Sequence, residues 1–372
     1  MAQTLVADRP DHVPVQIVNT NFHAALLPSG LSLGPLDQVT KLCKDDDSDN
    51  SDELTHLDCL RNGVDASVPD ETKAAFGELL AKYASVFSRG EHDLGCATAV
   101  KHRIVTGESR PVRQALRRQP PHHQAEIDRQ LTEWLEQGKI SPSQSEWASN
   151  IVIVKKKDGS LRFCVDYRQL NEQTVKDSYP LPRIDDCLDC LGGANWFSTM
   201  DLRSGYHQVA LDGVSKEKTT FVTRRGTFSF NVMPFGLCNA PATFQRLMDC
   251  TMRGLQYEVC LIYLDDIIVF SGDLTTHLER LELIFQRLRQ ASLKLKPSKC
   301  SFLQQCVDFL GYKISAAGIS TDPSKIEAVA SWPVPRKLKE VRGFVGLCGY
   351  YRRFVDKFSE IAAPLHALTK KN

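Results

Sequence analysis

The sequence predicts an α+β fold in which strands and helices are grouped rather than alternating. Three observations carry this. Short runs rich in β-branched and aromatic residues, such as NIVIV at 150–154, WFSTM at 196–200 and IIVF at 267–270, suit strands. Stretches with a 3.6-residue apolar period, near 70–87, 125–138, 239–255 and 274–292, suit helices. The two kinds of segment do not follow a regular βαβ order, which argues against a doubly wound parallel sheet. A chain of 372 residues is also long for one core, so two or three subdomains are expected.

The elements follow in order. Residues 1–66 hold KDDDSDNSDE, an aperiodic charge run that reads as a flexible acidic leader, with VPVQIVN at 13–19 as a short strand candidate. A helix starts at Asp70, its first turn acidic as the helix dipole favours. Residues 109–124 read as an extended, proline-punctuated basic segment that includes His122 and His123; a second helix over 125–138 ends at Gly138. A hairpin over 150–167 turns at Asp158-Gly159, and a strand ends near Asp201. Another hairpin turns at Arg225-Gly226, ahead of a helix with Asn239 as N-cap and Pro241 in its first turn. A hairpin around Asp265-Asp266, a long helix, a last strand VDFLGYKIS and two basic amphipathic helices complete the chain. The expected domains are the leader 1–66, a main body 67–314 and a helical part 315–372.

Charge and cysteines narrow the classes. The first hundred residues hold 7 Lys/Arg against 16 Asp/Glu, the remainder 39 against 29, so the net +1 hides a basic body suited to a polyanion. No apolar stretch approaches the roughly 18 residues of a spanning helix. The N-terminus lacks the layout of a signal peptide. An intracellular, non-membrane protein with twelve reduced cysteines is therefore expected. Cys187 and Cys190 form the one C-x-x-C without a second cluster, so two small core residues on a helix are expected rather than zinc ligands.

Chemistry enters at Asp265 and Asp266. Adjacent carboxylates repel, and they interrupt an otherwise apolar run, a broken local rule that points to function. Asp201 ends another apolar strand 64 residues earlier. If the two strands are neighbours, three acids converge, and hard oxygen ligands of this kind suit Mg²⁺. A pair of such ions can clamp the attacking and leaving oxygens of a phosphoryl transfer. With Lys155–Lys157 and Arg162 on the neighbouring hairpin, the set reads as nucleotidyl transfer.

Four ordered blocks then match a family. VKKKDGSLRFCVDYRQLN at 154–171, MDLRSGYHQV at 200–209, MPFGLCNAPATFQRLM at 233–248 and YLDD at 263–266 resemble a reverse transcriptase, of the gypsy-type LTR retrotransposon kind, over roughly 96–372. The resemblance implies a right-hand polymerase fold with fingers, palm and the start of a thumb or connection. It implies Asp201, Asp265 and Asp266 as catalytic metal ligands for two Mg²⁺ ions, with Mn²⁺ as an alternative. Lys156 and Arg162 would contact the triphosphate, Tyr206 would exclude a ribose 2′-hydroxyl, and Phe235 and Gly236 would line the nucleotide pocket. Many relatives carry glutamine at the Phe235 position. Leu264, Leu310, Gly311 and Tyr312 would contact primer and template. The implied partners are an RNA or DNA template, a primer and dNTPs, and the implied location is cytoplasmic, within a virus-like particle. Protease, RNase H and integrase motifs are not expected in this stretch. A truncated, non-catalytic nucleic-acid-binding remnant is the competing expectation.

Overall fold

The computed structural model describes residues 55–370 apart from 91, 156–158 and 160; the 13–19 strand candidate and the leader up to 54 lie outside them. At the centre is an antiparallel sheet in the order Ser301–Gln304, Trp196–Asp201, Asp266–Ser271, Cys260–Tyr263. Alternation of side chains along its strands sends Met200, Ile262, Ile267 and Val269 into one core, and Phe197, Leu261, Ile268 and Phe270 into another. That two-sided burial is why the run around the aspartates is continuously apolar. The first core is closed by the helices Ala240–Thr251 and Leu274–Gln290, through Phe244, Leu247, Met248, Leu281, Ile284 and Phe285. The second is closed by Cys187 and Leu188 of the helix Ile184–Asp189 and by the meander Cys306–Phe309, Tyr312–Ser315, Gly318–Thr321.

A five-stranded sheet forms a second body, ordered Ile140–Pro142, Gly226–Phe230, Phe221–Thr223, Ser149–Lys155, Leu161–Val165. The helix Pro121–Glu136 covers it, presenting Ile127, Leu131 and Trp134 at i, i+4, i+7 to Phe221, Phe228 and Phe230. Beyond the meander come the helices Pro323–Ala330, Leu338–Tyr350 and Phe358–Leu368. Among the described residues no helix is long and apolar enough to cross a membrane.

Several elements differ from expectation, each for a local reason. The packed chain begins before 67: Thr55–Leu57 and Asp58–Asn62 are helical and bury Leu57 and Leu60. The second helix starts at Pro121, because proline at the first helical position forfeits only an N–H that has no partner there; His122 and His123 therefore sit in its first turn. Gly226 pairs with Thr223, so Arg224 and Arg225 make the turn. Asn239 occupies the N-cap position without capping: its side chain accepts from the Asp177 N–H (3.1 Å) and donates to the Val175 carbonyl (2.7 Å). VDFLGYKIS is two strands, with Leu310 (φ +48°) and Gly311 (φ +77°) turning between them.

Candidate active site

Antiparallel register brings the acids together. Asp266 is paired with Asp201 on one side and with Tyr263 on the other. The hairpin turn is therefore Leu264-Asp265, and not the Asp265-Asp266 dipeptide that the apolar spacing suggested. Leu264 adopts φ +55°, uncommon for a residue with a side chain, and its N–H donates to Gln245 Oε1 at 2.9 Å. This geometry places Asp265 at the turn and leaves Asp266 to lead the outgoing strand.

The electrostatics follow from crowding. Burial, then the charges of Asp201 and Asp266, push the Asp265 carboxyl up to about 6, while Lys299 opposes the rise. Asp266 is also raised, first by the strands packed around it and then by Asp201. Lys299 Nζ donates to Asp201 Oδ2 at 2.7 Å. Asp265 Oδ1 is buried with no hydrogen-bond donor. Gly205 permits this placement: a Cβ there would lie 2.8 Å from Asp265 Oδ1 and 2.7 Å from Phe244 Cζ. Among the described residues no three acidic, His or Cys side chains are already closed into a chelating group. A gathered set of hard oxygens, with one buried oxygen lacking a donor, nevertheless fits a hard divalent cation.

An aromatic wall stands beside the acids. Tyr206 stacks on Phe235 with centroids 5.2 Å apart and leans on Phe244 at 5.3 Å. Burial, and secondarily Asp265, push the Tyr206 hydroxyl up to about 12. The Arg162 guanidinium lies over the Phe235 ring at 5.5 Å, and Phe235 remains 42% exposed, so the wall faces open space. Gly236 takes φ +93°; its carbonyl accepts from Asn171 Nδ2 at 2.8 Å, and Asn171 Oδ1 accepts from the Cys238 N–H at 2.9 Å. The VDYRQLN block is thus the brace of the MPFGL loop.

One cleft of about 820 Å³ is lined by Arg162, Asp201, Phe235, Gly236, Asp265 and Lys299, among others. Five of the residues expected from sequence meet there, with Tyr206 and Asp266 alongside. Lys156 lies outside the described residues. Leu264 is half-buried at the turn. Leu310, Gly311 and Tyr312 stand apart from the cleft. Tyr312 is buried, stacked on Tyr350 at 5.2 Å and donating to its carbonyl at 2.9 Å, so its ring is a packing element rather than a contact surface. Sequence reasoning passed over Lys299, Gly205, Asn171 and Gln245. Gly205, Asn171 and Gln245 lie inside the quoted motif blocks and Lys299 beyond them, and the roles of all four depend on partners far along the chain.

A carboxylate hairpin beneath an aromatic and arginine wall, on an antiparallel sheet backed by two helices, defines a right-hand polymerase. Residues 154–314 match the family Reverse transcriptase (RNA-dependent DNA polymerase). The chain is 40% identical over 329 residues to the retrovirus-related Pol polyprotein from transposon 297 of Drosophila melanogaster, a match covering 87% of this chain and 31% of that protein. To the Pol polyprotein from transposon gypsy of the same organism it is 34% identical over 312 residues, covering 82% and 30%. A foamy viral protease-reverse transcriptase in complex with RNA/DNA hybrid matches with TM-score 0.75 and 26% identity, over 91% of this chain and 44% of that one. The same protein in complex with dsDNA matches with TM-score 0.76 and 26% identity, over 90% and 67%. The chain spans about a third of the length of the curated relatives it matches. It belongs to the reverse transcriptases of gypsy-type LTR retrotransposons.

Proposed function

We propose that this chain is an RNA-directed, and also DNA-directed, DNA polymerase that extends a primer with dNTPs on a nucleic-acid template. The carrying observation is the register that sets Asp201 beside Asp266 and leaves the buried Asp265 Oδ1 without a donor, in one cleft with Arg162 and Phe235. Similarity to polymerases solved with RNA/DNA hybrid and dsDNA supports the partners.

Reverse transcriptases are generally divalent-metal dependent, and here Asp201 and Asp265, with Asp266 in support, would hold two Mg²⁺ or, alternatively, Mn²⁺ ions. Bound there, the ions supply acidification of the primer 3′-hydroxyl and charge neutralisation on the triphosphate. The reaction forms a bond from the 3′-oxygen to the α-phosphorus, breaks the α–β phosphoanhydride and releases pyrophosphate and a proton. Arg162, steadied on Phe235, offers a guanidinium fork to the phosphate oxygens, with Lys156 as a second cation. The Tyr206–Phe235 stack would give the sugar an apolar floor, on which Tyr206 would exclude a ribose 2′-hydroxyl and so select deoxyribose. Leu264 would meet the primer end from the hairpin turn, and Leu310 and Gly311, at the tip of the second hairpin, would meet the primer backbone. The expected division is fingers around the five-stranded sheet, palm around the aspartates and thumb after about 315.

Primer extension on an RNA template with dNTPs and Mg²⁺ tests the reading. Wild type should extend, and Asp265→Asn should lose activity by on the order of 10³-fold. A wild type that binds template-primer yet extends in neither Mg²⁺ nor Mn²⁺ would instead be a binding remnant.

A further inference from the structure

We propose that Gln245 is the positioning residue of the active-site hairpin, holding Asp265 in place through a hydrogen-bonded relay that ends at the partly buried Tyr179. This rests on the polymerase reading. The side chain of Gln245 is fully buried on the helix Ala240–Thr251. Its Oε1 accepts from the N–H of Leu264, the residue at φ +55° immediately before Asp265. Its Nε2 donates to Asp249 Oδ1 at 2.9 Å, one helical turn on. Asp249 Oδ2 in turn accepts from the Tyr179 hydroxyl. Arg246 covers the Tyr179 ring at 4.6 Å and pairs with Asp177 at 2.9 Å, fixing that end.

The direction of each bond follows from chemistry. Leu264 N–H can only donate and the Asp249 carboxylate can only accept, so a single orientation of the Gln245 amide satisfies both. Reversal would set N–H against N–H and oxygen against oxygen, in a buried place where an unsatisfied group costs roughly 1–3 kcal/mol. A left-handed leucine is itself strained and persists only when its surroundings impose it. Here the imposed bond is one residue from the carboxylate that the chemistry needs. Gln245 touches no reacting atom; it acts through the turn.

Because the relay is a pattern of donors and acceptors, it can be inverted. Gln245→Glu keeps an acceptor toward Leu264 but faces Asp249 with like charge. Adding Asp249→Asn restores a donor to that contact, and the asparagine oxygen still accepts from Tyr179. The full-length chain and its variants are assayed for kcat and for KM toward dNTP by primer extension, and for Mn²⁺ affinity by electron paramagnetic resonance. Gln245→Glu should lower kcat on the order of 10²-fold, with KM changing far less, and should weaken Mn²⁺ binding. Gln245→Glu/Asp249→Asn should recover most of both losses, and melting curves identify a variant that fails to fold. Gln245→Met, which lacks both bonds at similar volume, should resemble Gln245→Glu. Equal kcat and Mn²⁺ affinity in Gln245→Met and wild type would overturn the inference, as would a double variant no better than Gln245→Glu. An inactive wild type would sink the polymerase reading instead, and the Mn²⁺ measurement would still decide the role of Gln245.

Discussion

Two hairpins of this protein share a backbone solution and differ in how their polar atoms are treated. Cys260–Tyr263 with Asp266–Ser271, and Cys306–Phe309 with Tyr312–Ser315, each close through two residues, and in each the first is a leucine at positive φ. At the second hairpin every exposed acceptor of the tip is met: the Tyr350 hydroxyl donates to the Leu310 carbonyl and the Tyr351 hydroxyl to the Gly311 carbonyl at 3.3 Å. At the first, Gln245 satisfies the backbone while Asp265 Oδ1 is left buried and without a donor. Buried polar groups are nearly always satisfied, and among the described residues Asp265 Oδ1 is the one carboxylate oxygen that is buried without a donor, which fits a site made for a cation. The same turn thus serves as a structural corner in one place and as a carrier of chemistry in the other.

The contrast can be broken most severely at Gly205. Gly205→Ala forces a methyl against Asp265 Oδ1 and the Phe244 ring. Extension should fall by about 10²-fold or more, with a stability loss of roughly 1–3 kcal/mol from overpacking. Wild-type rates in Gly205→Ala would mean that Asp265 is not held as described. The structural hairpin should respond differently. Tyr350→Phe removes one donor from the Leu310 carbonyl, so thermal unfolding should report a loss of about 1 kcal/mol while the extension rate stays close to wild type. A large drop in rate with unchanged stability would move that hairpin into the functional class.

Much of this was legible in the sequence because strand patterning is local. The run from Cys260 to Ser271 and the strand ending at Asp201 declared themselves by composition, and the motif blocks pointed to the residues that meet in the cleft. The turn was misplaced by one residue because φ +55° at Leu264 depends on Gln245, whose bond to it crosses 19 positions. The strand VDFLGYKIS hid its turn because Leu310 and Gly311 continue the apolar run, and the hydroxyls that stabilise the tip come from 40 residues away. The family pattern offers Tyr312 as a nucleic-acid contact, whereas its burial under Tyr350, Tyr351 and Phe354 is a tertiary fact that no local pattern carries. Lys299 is one lysine among many until its ammonium is found on Asp201.

The most direct measurement is thermal unfolding of wild type and Asp265→Asn, in EDTA and in Mg²⁺, between pH 4 and 7.5. An acid whose folded-state value is raised to about 6 penalises the folded state wherever it is ionised; the penalty is complete above that value and gone below the ordinary 3.8. In EDTA at pH 7 the asparagine variant should therefore melt above wild type, and the difference should vanish towards pH 4. Mg²⁺ should raise the wild type and leave the variant largely unmoved. A variant that melts below wild type in EDTA at pH 7, or that gains as much from Mg²⁺, would contradict the claim that Asp265 is held unsatisfied for a metal ion.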